Sequence, residues 1–186
     1  MNQTNTDRAW IEIDLDNLEH NACILQAAMP PQCRLMAVVK ANAYGHGAVP
    51  VSARLNKIGV DVFAVATIDE GIELRRNGIR GEILIFGYTG VSRARELMEH
   101  DLIQTLISSE YARALNAQGV PVKAHIKIDT GMHRLGMPWD DPEGVKQVFS
   151  MENISVCGMY THLCCADSRL PEDGNECLSA SEGCLS

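Results

Sequence analysis

From Leu35 onward the sequence repeats one unit: a short apolar run, a polar turn, then a segment with helical spacing. The apolar runs fall at 35–39, 62–66, 83–86, 102–107, 122–128 and 154–161. Those at 35–39, 62–66 and 83–86 are continuous rather than alternating, as in strands buried on both faces of a parallel sheet. Between them, 48–58, 69–77, 91–99, 108–115 and 142–151 carry helix signals. Gly59, Gly78 and Gly119 stand where helices stop, Ser108 or Ser109 where one begins, and Pro142 at a first helical position. Strands alternating with helices predict βαβ units and a parallel sheet.

Two α/β architectures satisfy that pattern, an open doubly wound sheet and a closed (β/α)8 barrel. The first strand-to-helix turn lacks the GxGxxG of a dinucleotide site. The unusual polar residues fall at strand ends instead: Lys40 after the first run, Lys127 and Asp129 at the fifth, His162 at the sixth. Polar side chains converging from separate strand ends are what a barrel active site requires. The reading is therefore α/β, a partial (β/α)8 TIM-type barrel with about six of its eight strands. Taken alone, each such lysine also reads as a strand-end residue with its stem on the core and its ammonium in water.

The flanks differ. Trp10 to Leu15 alternates and predicts a half-exposed strand, after which Asp16 opens a helix with Glu19 in capping-box position. Leu18, Ala22 and Leu25 share a face of that helix, and Pro30-Pro31 stop it. After Asp167 the sequence shows no apolar periodicity, so 168–186 is expected to be an irregular tail and the barrel to be cut short.

Charge and cysteines exclude several classes. Lys+Arg 16 against Asp+Glu 24 gives a net charge of −8, which disfavours nucleic acid and anionic membranes as partners. The polar start lacks the order of a secretory signal, and no apolar stretch is long enough to span a bilayer, so the expected location is cytoplasmic. The seven cysteines form no CxxC and suggest no disulfide framework. His162, Cys164, Cys165, Cys177 and Cys184 match no zinc spacing, and no metal is expected. Cys157, Cys164 and Cys165 read as small buried apolar residues.

Four stretches carry a resemblance. Residues 37–47 (AVVKANAYGHG) resemble the cofactor-lysine motif of bacterial alanine racemases, and 127–137 (KIDTGMHRLGM) resemble their second signature. Residues 159–163 (MYTHL) are similar to a third, and 10–15 (WIEIDL) to their opening strand. Phrases such as 64–71 (AVATIDEG) also look similar to the serine/alanine racemases of vancomycin-resistant bacteria. The resemblance runs from about residue 8 to Asp167.

What the resemblance implies is a pyridoxal 5'-phosphate enzyme interconverting L- and D-alanine for the cell wall, and a homodimer. Lys40 would carry the cofactor as a Schiff base and act as base on one face of the substrate α-carbon. Tyr44 would bond the cofactor phosphate, and Arg134 would meet the substrate carboxylate and the cofactor ring oxygen. His162 would pack near the cofactor. Lys127 occupies a position that some members carry as N-carboxylysine, paired with the arginine. The second base would come from a C-terminal β domain of a partner subunit. The implied division is 1–15 as a strand joining that β domain, 16–167 as the partial barrel, and 168–186 as a tail. His46 and His133 are given no chemistry, and Asp129 reads as an acceptor that orders its loop. A serine racemase, a non-catalytic pyridoxal phosphate barrel and an inert fragment remain open as alternatives.

Overall fold

The computed structural model describes residues 9–164. Its centre is a parallel sheet whose strands pair in chain order: β1 (Met36–Val38), β2 (Val62–Val65), β3 (Glu82–Ile85), β4 (Ile103–Leu106), β5 (Val122–Asp129) and β7 (Ile154–Tyr160). Every pairing is parallel, with β7 beside β5. A doubly wound sheet reverses its strand order at a switch point. This one never reverses, as a singly wound barrel requires. A two-residue strand, β6 (Met137–Pro138), adds to the end of β5 through Ile128 and Asp129.

Helices α3 (Ala48–Lys57), α4 (Ile68–Arg76), α5 (Ala94–Glu99), α6 (Ser109–Asn116) and α7 (Pro142–Phe149) connect the strands, preceded by α1 (Leu15–Ala28). Three of the connecting helices have side-chain caps at their starts. Thr67 and Glu70 form a reciprocal capping box on α4, Ser108 caps α6, and Asp141 caps α7 just before Pro142.

Side chains alternate across each strand and so divide between two faces. Phe63, Val65, Ile83, Ile85, Ala124 and Ile126 join Leu55, Leu74, Leu97 and Leu115 of the helices in the main core. The residues between them face the other way: Ala64, Leu84 and Ile103 form a smaller cluster with Met36, Phe86 and Tyr160. At the β5–β7 pairing the register shifts between Ala124 and His125. His125 then lies opposite Gly158, where an added Cβ would sit 2.5 Å from the His125 ring.

Several expectations are corrected. Trp10–Asp14 forms no strand, and Trp10 and Ile11 are exposed. A strand needs a partner for its backbone groups, and none lies beside this segment among the described residues. The first helix begins at Leu15, because Asp14 rather than Asp16 takes the cap, accepting from the Asp16 and Asn17 amides. Glu19 instead pairs with Arg54 of α3 (2.8 Å), beside an Arg54–Asp16 contact. Leu25 is exposed, leaving Ala22 as the buried residue of α1. The six expected strands are all present among the described residues, and the two-residue β6, too short to leave an apolar run, is added to them. Cys157 is exposed on β7, which among the described residues pairs with β5 alone. The tail expected at 168–186, with Cys165, Cys177 and Cys184, lies outside the described residues.

Candidate active site

The carboxyl ends of the parallel strands meet around a pocket of about 230 Å³. Its walls include Val38 at the end of β1, Lys40 after it, Phe86 after β3, Lys127 on β5, Tyr160 at the end of β7 and His162 after it. The loop between β5 and β6 adds Met132, Arg134 and Leu135. All five residues singled out from the sequence, Lys40, Tyr44, Lys127, Arg134 and His162, line this one pocket. Its lining contains three cationic side chains and no carboxylate, in a chain of net charge −8.

Lys40 opens a turn of rare geometry. Ala41, Asn42, Ala43 and Tyr44 have φ between 50° and 54°, a left-handed helical turn, α2 (Lys40–Tyr44), without a glycine. For L-residues that hand costs roughly 1–2 kcal/mol each, so the four together cost on the order of 4–8 kcal/mol. Hydrogen bonds hold the turn from several sides. The Ala41 amide donates to Glu70 Oε1 (2.7 Å), Ala43 N to Val39 O (2.8 Å) and Gly47 N to Asn42 O (2.9 Å). Asn42 Oδ1 accepts the first amide of α3, from Ala48 (2.8 Å), and His46 Nδ1 meets Ala43 O (2.8 Å). Tyr44 is thereby set at the pocket edge, exposed, while Lys40 is half-buried.

Lys127 is the buried cation. Its Nζ donates to Ile128 O (2.6 Å) and stands 5.9 Å from the Tyr160 ring centre. Burial pulls its ammonium below the usual lysine range, with Arg134 pulling the same way and Asp129 opposing. The expectation for this pair was modification or separation. Arg134 is exposed, which leaves its charge in water.

Asp129 orders the loop as expected. Its Oδ1 accepts from the Gly131 amide (3.2 Å) and the His133 amide (3.0 Å). Burial acts to raise its carboxyl, but these amides, the His133 ring and Lys127 outweigh it and hold it below the ordinary range. Gly136 closes the loop at φ 127°, where a Cβ would lie 2.8 Å from the Asp129 nitrogen. His162 is exposed at the pocket rim rather than packed in an interior hydrogen-bond chain.

Sequence reasoning assigned no role to Tyr160, Phe86 or Thr105. The Tyr160 hydroxyl bonds Thr105 Oγ1 (3.0 Å) and its ring lies 5.6 Å from that of Phe86. Burial raises its phenol above the usual value, against the Thr105 bond and Arg134. The period-two alternation that points Thr105 and Tyr160 inward was the available signal, but near-continuous apolar runs obscure it. Among the described residues no group of His, Cys, Asp and Glu is arranged to hold a metal ion, and no helix is long and apolar enough to cross a membrane.

This geometry has close counterparts. The chain is 58% identical over 163 residues to an amino-acid racemase of Enterococcus faecalis, covering 88% of this chain and 23% of that protein. It is 42% identical over 169 residues to a serine/alanine racemase of Enterococcus gallinarum, covering 91% and 24%. The solved alanine racemase of Clostridium difficile 630, in complex with cycloserine, superposes with a TM-score of 0.89 at 34% identity, over 97% of this chain and 51% of that one. The chain thus spans about a quarter of those two curated relatives and about half of the solved one. The family model for the N-terminal domain of alanine racemase matches residues 13–181, past Asp167 where the recognisable motifs end. The chain belongs to the alanine racemase family, and its fold is the barrel portion of that family's N-terminal domain.

Proposed function

We propose that the chain is the pyridoxal 5'-phosphate-binding part of an amino-acid racemase acting on alanine. The observation that carries this reading is the pocket lining: an amine, a guanidinium, a phenol and a buried second amine, with no carboxylate. Such a set favours a dianionic phosphate and a substrate carboxylate together. The donor chemistry therefore fits the cofactor.

When bound, pyridoxal phosphate supplies an aldehyde for amines and a ring that accepts the electron pair left at an α-carbon. The chain's own residues do the rest. Lys40 Nζ would hold the cofactor in the resting state and, once the substrate amine has displaced it, would serve as the free amine that exchanges the α-proton on its face of the substrate. Tyr44 donates its hydroxyl hydrogen to the phosphate. Arg134 orients the substrate carboxylate through its planar fork, and His162 borders the cofactor at the rim. Phe86 and Tyr160 exclude water from one wall. Lys127, whose ammonium is disfavoured by burial, is the candidate for carboxylation. The domain division follows the same reading: 16–167 as barrel and 1–15 as the segment that meets a β domain. The second base belongs to that β domain in a partner subunit. The 186 residues alone are accordingly proposed to bind cofactor and amino acid without turnover.

Replacing Arg134 by alanine tests the substrate side. It should abolish amino-acid binding while leaving cofactor binding in place. Equal loss of both, or full retention of both, would remove the arginine's role, and cofactor binding without amino-acid binding in the unmodified chain would favour a cofactor-carrier barrel. Normal L-to-D conversion of alanine by the purified chain would overturn the proposed need for a second base.

A further inference from the structure

We propose that Glu70 is a positioning residue for Lys40, holding the left-handed turn that presents the lysine to the pocket. The inference rests on Lys40 being the cofactor lysine. Glu70 lies in the first turn of α4, far from Lys40 in sequence, and it does not line the pocket. Its carboxylate nevertheless joins the ends of two adjacent strands. Oε2 accepts the Ala66 amide (2.7 Å) and the Thr67 amide (3.2 Å) after β2. Oε1 accepts the Ala41 amide (2.7 Å), the residue directly after Lys40.

The first amides of any helical turn lack partners within it. For an ordinary right-handed helix a local cap supplies one. Here the turn has the wrong hand for L-residues, and the amide that starts it is satisfied from the neighbouring βα unit. An acceptor with two charged oxygens suits three amide donors approaching from two sides. A glutamine does not, because its NH2 must face one of those donors. Serving as the N3 member of a capping box would explain the contacts through Oε2 and the Thr67 hydroxyl. It does not explain Oε1 on Ala41.

The capping function and the positioning function are therefore separable by substitution. Thr67→Ala removes the cap's other half, the Glu70 N to Thr67 Oγ1 bond (3.3 Å), and leaves the Ala41 contact. Glu70→Gln loses an acceptor on one side. Glu70→Asp keeps the charge at the start of α4 but shortens the reach to Ala41. Two readouts apply to each variant of the 186-residue chain. One is the fraction of Lys40 trapped by borohydride at a fixed, sub-saturating concentration of pyridoxal phosphate. The other is amide hydrogen exchange across residues 40–47 without cofactor.

Glu70→Gln and Glu70→Asp should lower the trapped fraction by about ten-fold, the effect of losing one charge-assisted hydrogen bond, and should speed exchange at 40–47. Thr67→Ala should do neither, while loosening the start of α4. Equal effects in Thr67→Ala, or unchanged exchange in both Glu70 variants, would overturn the proposal. So would failure of both Glu70 variants to fold, since the role would then be stability alone. If the unmodified chain takes no cofactor on Lys40, the proposed function falls, and the exchange data still decide whether Glu70 holds the turn.

Discussion

Replacing Ala41 by glycine should stabilise the chain, the reverse of its effect in an ordinary helix. In a right-handed helix the change costs about 1 kcal/mol, because glycine loses more backbone freedom. Ala41 has φ 50° and an exposed side chain, so no packing is lost. The left-handed conformation charges alanine roughly 1–2 kcal/mol that glycine escapes. Glycine's larger entropy loss returns about 0.5–1 kcal/mol of that gain. The net is a gain of roughly 0–1.5 kcal/mol, which in a chain of this size raises Tm by up to about 6 °C. Ala41→Val should move the other way by at least about 1 kcal/mol, since a β-branched residue is an outlier at positive φ. Thermal unfolding followed by circular dichroism reads both. A lower Tm for the glycine variant would refute the left-handed turn and the strain argued from it.

Three further predictions concern the interior. Gly158→Ala should cost about 1–3 kcal/mol, because its Cβ would collide with the half-buried His125 ring. Most of that cost should vanish in a His125→Ala background, measured by urea unfolding as a double-mutant cycle. Burial lowers the His125 imidazole from its ordinary 6.5, against an opposing pull from Glu82. The folded state thus prefers the neutral ring. Stability should be full above pH 6.5 and fall as pH drops toward the depressed folded value, and His125→Gln should flatten that window. Lys127 holds more uncharged amine than an exposed lysine because burial disfavours its ammonium. Carbon-13 bicarbonate should therefore yield a carbamate NMR signal that Lys127→Met removes. Its absence in the unmodified chain would withdraw the carboxylation proposal.

The sequence was most legible where tertiary packing left a simple mark. Runs such as Val62–Val65 and Ile83–Ile85 are buried on both faces, so composition alone marks them as strands. Their order then brings Lys40, Lys127 and His162 to one rim, because parallel strands align their carboxyl ends. The failures have equally definite causes. Trp10–Asp14 alternates like a strand, but alternation supplies no hydrogen-bond partner. The hand of the turn at Ala41–Tyr44 is invisible locally, since none of the four is glycine and alanine favours the opposite hand. Glu70 was given no role from the sequence, and only its placement beside the adjacent strand end reveals the bond to Ala41. Tyr160 lay inside a quoted motif, yet its partnership with Thr105 spans 55 residues of chain.

The central claim is that Lys40 is the cofactor lysine of this pocket. Incubating the chain with pyridoxal phosphate, reducing with borohydride and mapping the adduct by peptide mass spectrometry tests it directly. The account predicts one dominant pyridoxyl adduct on Lys40, lost in Lys40→Ala and competed by free phosphate. An adduct spread over exposed lysines such as Lys123 and Lys146, or concentrated on Lys127 with Lys40 unmodified, would contradict it.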